Sequence, residues 1–375
     1  MAERVLVAPD KFKGSLPATE VAARLAAGLS RAGVGADVVS LPVADGGDGT
    51  VDAAVSAGYR RVEMGVRGPV GRPVTAAFAL ADGTAVIEAA QACGLSLLAP
   101  DSLAPLTATS KGVGELILAA TRMGAKRVML GLGGVATTDG GAGLVQALGA
   151  RLTDDSGLEL PPGGAALARL AGFHLERLRD LSGVEFLVAS DVDNPLLGPS
   201  GAARVYAPQK GASPEDVELL EAGLERWADI AEAACGQIAR DVPGAGAAGG
   251  LGFAALLFLG ARMRPGIELL LEMLSFGQRL DGARLVITGE GSLDAQSLHG
   301  KAPVGVARAA AGHDPAVPVV AVAGVCTLSA AQLREAGIAA AYALTDIEPD
   351  VSRCIANAGP LVERLAERIA DDWLR

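Results

Sequence analysis

The chain has 375 residues, which is length enough for two domains that each bury a core. Half the residues are hydrophobic but only 3% are aromatic, and 50 are glycine, so alanine, valine and leucine must fill those cores. That pattern fits an α/β enzyme rather than an all-β module or a coiled coil. The formal net charge of −11, with no basic tract, argues against a nucleic-acid partner.

In chain order, the opening predicts strand, helix, strand, helix: Arg4–Ala8, Pro17–Leu29, Asp37–Val43, then a helix from about Thr50. The strands are short and continuously apolar, as in a sheet covered on both faces. Residues 60–90 alternate in short bursts broken by Gly-Pro-Val-Gly-Arg-Pro and Ala-Asp-Gly, which predicts antiparallel hairpins. Further βα units follow, with helices around 214–239 and 250–261. The end predicts a strand at Leu285–Thr288, then helix 303–311, strand 317–323, helix 329–336, strand 339–344 and one long helix over 351–373. The expected fold is therefore α/β with two α/β domains. A doubly wound Rossmann/flavodoxin-like domain is built from residues 1–66 plus 282–375, a mixed α/β domain is inserted at 67–281, and an active-site cleft is expected between them.

The four cysteines, Cys93, Cys235, Cys326 and Cys354, are far apart and form no CxxC pair. A disulfide framework and a zinc site are both disfavoured, and reduced thiols in a cytoplasmic protein are expected. Apolar runs such as 253–259 and 317–325 are too short to cross a membrane, and the first residues lack signal-peptide architecture.

Polar, glycine-rich clusters recur just after strands, where ligands bind in open α/β sheets. In Pro9–Ser15, Ser15 ahead of Pro17 reads as a helix cap, and Lys11 and Lys13 add cationic donors for an anionic group. An ordinary capped helix with solvated lysines is the alternative. Asp45 lies in the cluster Ala44–Thr50. In Gly131–Gly143, the glycines (Gly133 and Gly134 among them) permit close backbone approach to phosphate, while Thr137, Thr138 and Asp139 offer oxygen ligands. Asp191 and Asp193 follow the strand 186–189 and suit a general base and a Mg²⁺ partner; a turn-forming Asp pair is equally open. Glu290, Asp294 and Lys301 suit phosphate or metal contacts by the same logic. Lysine is scarce beside arginine, and Lys210 is one of those kept next to a glycine. Gly244-Ala-Gly-Ala-Ala-Gly249 satisfies GxGxxG but follows Val-Pro rather than a strand, and no Walker loop surrounds Gly300-Lys301.

Taken together, Ala8–Leu16, Leu41–Thr50, Gly133–Gly143, Ser190–Leu196, Pro208–Ala212, Gly244–Gly252 and Gly289 through Pro303 resemble the bacterial type I glycerate kinase family, in order along essentially the whole chain. The resemblance implies ATP-dependent phosphorylation of D-glycerate, with 2-phosphoglycerate favoured; phosphoryl transfer by an acidic chain without a Walker loop then calls for Mg²⁺. Asp191 and Lys11 are then the catalytic candidates. Lys13, Ser15, Asp45, Gly133, Gly134, Thr137, Thr138, Lys210 and Lys301 are the substrate- and phosphate-binding ones, and Asp193 and Glu290 the metal ones. A kinase for another small hydroxy acid and a non-catalytic ligand-binding protein are the rival readings. The expected partners are glycerate and ATP, with no nucleic acid or membrane, and a homodimer is a candidate assembly.

Overall fold

The computed structural model describes residues 4–375, with the backbone alone at His299. Among the described residues the strands are numbered in chain order: β1 (Arg4–Pro9), β2 (Asp37–Ser40), β3 (Arg60–Arg67), β4 (Pro73–Ala81), β5 (Thr84–Glu88), β6 (Arg127–Gly131), β7 (Arg151–Thr153), β8 (Gly172–His174), β9 (Glu185–Ala189), β10 (Arg262–Arg264), β11 (Ala283–Leu293), β12 (Val319–Cys326) and β13 (Ala340–Ala343). The chain divides into two compact units. One takes in the described residues up to Asp45, then Asp52–Gly58 and Pro265–Arg375; the other comprises Gly46–Val51 and Tyr59–Arg264.

The first unit holds a five-stranded parallel sheet in the order β13-β12-β11-β1-β2. Numbered within the unit, that order is 2-1-3-4-5, the flavodoxin-like form of a doubly wound sheet, whose strand order reverses between β1 and β11. Val5, Val7, Ile287, Val320 and Val322 fill its core, together with Leu25 and Leu29 of the helix Ala18–Arg31 and Leu365 and Ile369 of the helix Ala358–Trp373. Those two helices approach closely at Gly28, where a methyl group would stand 2.3 Å from the Glu363 carbonyl oxygen. The single terminal helix expected over 351–373 is two, Val351–Ala356 and Ala358–Trp373. The chain breaks at Asn357, whose φ of −120° is not helical and whose amide side chain donates to the Arg353 carbonyl.

The second unit holds a mixed six-stranded sheet, β10-β9-β6-β5-β4-β3. Strands β3, β4 and β5 form the antiparallel meander that the alternating pattern predicts, and β5, β6, β9 and β10 run parallel. An aromatic group anchors its core: Trp227 meets Phe173 edge-on at 5.0 Å and stacks on Phe258 at 5.7 Å.

Candidate active site

In the first unit the polar groups collect at the carboxyl ends of β1 and β11, the reversal point of the sheet. Beyond β2 the backbone keeps bonding alongside β1, with Leu41 N donating to Val7 O and Val43 N to Pro9 O; Pro42 has no N–H to add. That continuation carries Asp45 up beside Asp10. Asp10 is itself tied in place: its N–H donates to Gly289 O at 2.8 Å and its Oδ1 accepts from Lys11 N at 2.6 Å. Burial, reinforced by the charge of Asp45, pushes the Asp10 carboxyl up to about 7. Glu290 is raised too, chiefly by burial. Its Oε1 is buried with no hydrogen-bond partner among the described residues, while Oε2 lies 4.0 Å from Lys301 Nζ. The sequence predicts a loop from Gly289, but β11 runs on to Leu293, because Gly289, Glu290, Ser292 and Leu293 still pair with β12. Glu290 is therefore held by a strand.

Ser15 does not cap the first helix. Phe12 and Leu16 bridge each other, with Gly14 at φ 78° between them, and the chain enters the helix through Pro17, which has no side-chain acceptor. The Ser15 hydroxyl donates to Ile355 O at 3.2 Å instead. Lys13 is exposed, Lys11 half-buried.

In the second unit the glycines around β6 meet protein. A methyl at Gly131 would stand 2.4 Å from Gly46 O, one at Gly133 2.7 Å from Gly47 Cα, and one at Gly134 2.7 Å from Asp48 Oδ1. The two glycine-rich motifs, Gly46–Gly49 and Gly131–Gly134, are the two faces of one close backbone contact. Glu88, at the end of β5 and buried, accepts from the N–H groups of Gly49 and Val51. Further along, a methyl at Gly140 would strike Trp227 and one at Gly141 the Cβ of Ala254. Asp139, expected to offer oxygen to a ligand, is used up within the protein. It accepts from Ser110 N and Oγ and from Gly141 N and Gly143 N, and is fully enclosed. The hydroxyls of Thr137 and Thr138 are both buried and have no oxygen or nitrogen hydrogen-bond partner among the described residues; the Cys93 thiol faces that of Thr137. Below them lies Lys210, 4% exposed, with Nζ donating to Thr137 O at 2.5 Å. Asp191 and Asp193 are exposed in the loop after β9, where Asn194 is braced by Ser200 O and Tyr206.

The glycerate kinase family model matches residues 5–374. This chain belongs to the glycerate kinase family. It is 46% identical to the glycerate kinase of Bacillus subtilis strain 168, over 98% of this chain and 97% of that one. It is 43% identical to the glycerate 2-kinase of Escherichia coli K12, over 91% and 90%. A crystal structure from Salmonella typhimurium LT2, designated glycerate kinase 2, superposes with a TM-score of 0.86 at 40% identity, over 99% and 98% of the two chains.

Within this family member, the structure brings Lys11, Asp45, Glu290 and Lys301 to one end of the first sheet. It brings Gly133, Gly134, Thr137, Thr138 and Lys210 to one loop of the second unit, with Asp191 and Asp193 at the end of a different strand of that unit. Sequence reasoning left Asp10 and Glu88 out of the candidate set. Asp10 could have been found as the first polar residue after the apolar run of β1. Glu88 carried the same signal at the end of β5, where it reads as an ordinary strand-ending charge.

Among the described residues, no helix is long and apolar enough to cross a membrane, and all four cysteines are free thiols.

Proposed function

We propose that this protein transfers the terminal phosphoryl group of ATP to D-glycerate, giving 2-phosphoglycerate. The observation that carries the reading is the match to glycerate kinases over nearly the full chain, one of them named a 2-kinase. The hydroxyl oxygen of glycerate attacks the γ-phosphorus as the bond from that phosphorus to the ADP oxygen breaks, and the proton of the hydroxyl passes to Asp191. Asp191 suits that role because it is an exposed carboxylate on a loop braced at Asn194. Lys11, Lys13 and Lys301, near the ends of β1 and β11, supply positive charge for anionic oxygens, with Ser15 beside them. In the second unit, Gly133 and Gly134 shape the loop and Thr137 and Thr138 carry uncommitted hydroxyls for substrate oxygens.

The donors fit a magnesium ion. They are all oxygens, as a hard cation requires, and Glu290 carries a buried oxygen with no hydrogen-bond partner among the described residues. Among the described residues no three carboxylate, histidine or cysteine side chains are grouped to hold a metal, so Glu290 in the first unit would offer a single protein ligand beside substrate phosphates, and Asp193 in the second unit is a separate metal candidate. Bound magnesium would neutralise charge on the transferring phosphates.

The two units are read as separate domains, with the unit that contains Tyr59–Arg264 standing for the insertion expected at 67–281. A cytoplasmic location and a homodimer complete the proposal; light scattering tests the second. The reading itself is tested by ADP release across a panel of small hydroxy acids, with the product's phosphate position assigned by ³¹P–¹H NMR. Turnover is expected with D-glycerate and the phosphate on its 2-oxygen. Preference for another acid, or phosphate on the 3-oxygen, overturns the corresponding part.

A further inference from the structure

Lys210 ends a single 3₁₀ turn, Pro208–Lys210, and Gly211 at φ 94° leads the chain away. Its side chain points inward. The bond from Nζ to Thr137 O is charge-assisted, and that oxygen belongs to the peptide group joining Thr137 to Thr138. These are the two residues whose buried hydroxyls have no oxygen or nitrogen partner among the described residues, with only the Cys93 thiol facing that of Thr137. On another side the same carbonyl is walled in by Gly249, where a methyl group would stand 2.0 Å away. Turning this peptide would swing both threonines together, and the ammonium is what grips it. A buried, charged amine is costly unless it is well paired. The groups facing it are the Asp139 carboxylate in the loop and the Cys93 thiol on the helix Ala89–Cys93.

We propose that Lys210 is a positioning residue, whose buried ammonium fixes the Thr137–Thr138 peptide and so sets the direction in which both threonine hydroxyls meet a substrate oxygen. This replaces the expectation that Lys210 touches phosphate itself, and it rests on the reading of this loop as substrate-binding.

Positioning and plain structural support have opposite pH signatures here. Burial lowers the Lys210 pKa from 10.5 to about 8. Between those values the unfolded chain holds a proton that the folded chain has released, so this group makes stability rise with pH. Positioning needs the proton, so substrate binding weakens as pH passes through 8. Cys93 lowers stability with rising pH, but only above its ordinary value of 9, because burial raises it to about 12. Of these two groups, Lys210 and not Cys93 is the one that titrates between 8 and 9.

The test uses the full-length chain and its Lys210→Met variant. Between pH 8 and 9 the wild type should show KM for one of its two substrates rising by about threefold or more while its melting temperature holds or rises. Lys210→Met should show that KM raised about tenfold at pH 7.5 and flat across the window. Amide hydrogen exchange at pH 7.5 should be faster in Lys210→Met over 133–143, with peptides of the first unit unchanged. A variant with wild-type KM for both substrates and wild-type exchange overturns the proposal, and so does a wild-type KM that tracks the loss of melting temperature. If Lys210→Met does not fold, the wild-type pH series decides. If the wild type turns over no hydroxy acid, the functional reading fails, and the exchange comparison still decides whether Lys210 holds the loop.

Discussion

The end of the first sheet and the glycine-rich loop of the second unit look alike in sequence, since each is a polar, glycine-bearing cluster after an apolar strand. They are built on different physics. At the ends of β1 and β11 the polar groups are side chains, carboxylates and ammonium groups gathered where strand order reverses, and burial raises Asp10 and Glu290. In Gly131–Gly143 the glycines serve backbone contact with Gly46–Asp48, Trp227 and Ala254, and the one charged side chain of the loop, Asp139, is spent on internal donors. A glycine-rich motif thus marks a close approach without saying whether the neighbour is a ligand or the protein's own chain.

If the first region handles phosphate charge with a divalent cation, removing that cation should have the largest effect. Excess EDTA is expected to lower turnover by about 10³-fold or more, with recovery on adding magnesium. Undiminished turnover would leave Glu290 and Asp193 without their assigned role. The second unit is probed next by Asp191→Asn, expected to lower kcat by about 10²-fold while the melting temperature stays near that of the wild type, because Asp191 is exposed. Near-normal kcat in a folded variant would move the base elsewhere, and Asp10 would then be the next carboxylate to examine.

Most of the fold was legible because it depends on local pattern. Continuous apolar strands gave the parallel pairing, and two-residue alternation with Gly-Pro breaks gave the β3–β4–β5 meander. What failed depended on partners distant in the chain. Nothing near Ser15 shows that its hydroxyl is taken by the carbonyl of Ile355, and nothing near Thr288 shows that β12 extends the pairing to Leu293. For the site, the residue types were legible and their surroundings were not. Lys210 reads as a loop lysine open to a ligand, yet it is 4% exposed beneath Thr137. Asp139 reads as a free carboxylate, yet four donors from Ser110, Gly141 and Gly143 enclose it.

The packing account of the glycines has its own test. In Gly131→Ala the new methyl would lie 2.4 Å from a backbone carbonyl oxygen, that of Gly46, which cannot swing aside as a side chain could. A loss of about 3 kcal/mol is expected from urea unfolding, at the upper end of overpacking costs. A loss under about 0.5 kcal/mol, the usual range for an unremarkable surface site, would mean that the contact is loose and the glycine is kept for a ligand.

The smallest expected effect is on stability at the other region, and its sign separates side-chain electrostatics from packing. Asp10 has a folded pKa of about 7 against an ordinary 3.8, with burial the first cause and Asp45 the second. Between those values the folded chain holds a proton that the unfolded chain has lost, so folding stability falls as pH rises from about 4 to 7 and the penalty is constant above that range. Asp10→Asn keeps an oxygen to accept the Lys11 N–H and removes the charge. With chelator present, the variant is expected to be more stable than wild type by about 1–2 kcal/mol at pH 8, less than the full shift because partial hydration and relaxation soften the burial cost. The difference should shrink to nothing near pH 4. Gly131→Ala should lose the same stability at both pH values, since a steric clash carries no proton. An Asp10→Asn variant less stable than wild type at pH 8 would mean that the carboxylate is stabilised in place, with Lys11 outweighing burial, and the contrast between a charge-strained sheet end and a close-packed loop would collapse.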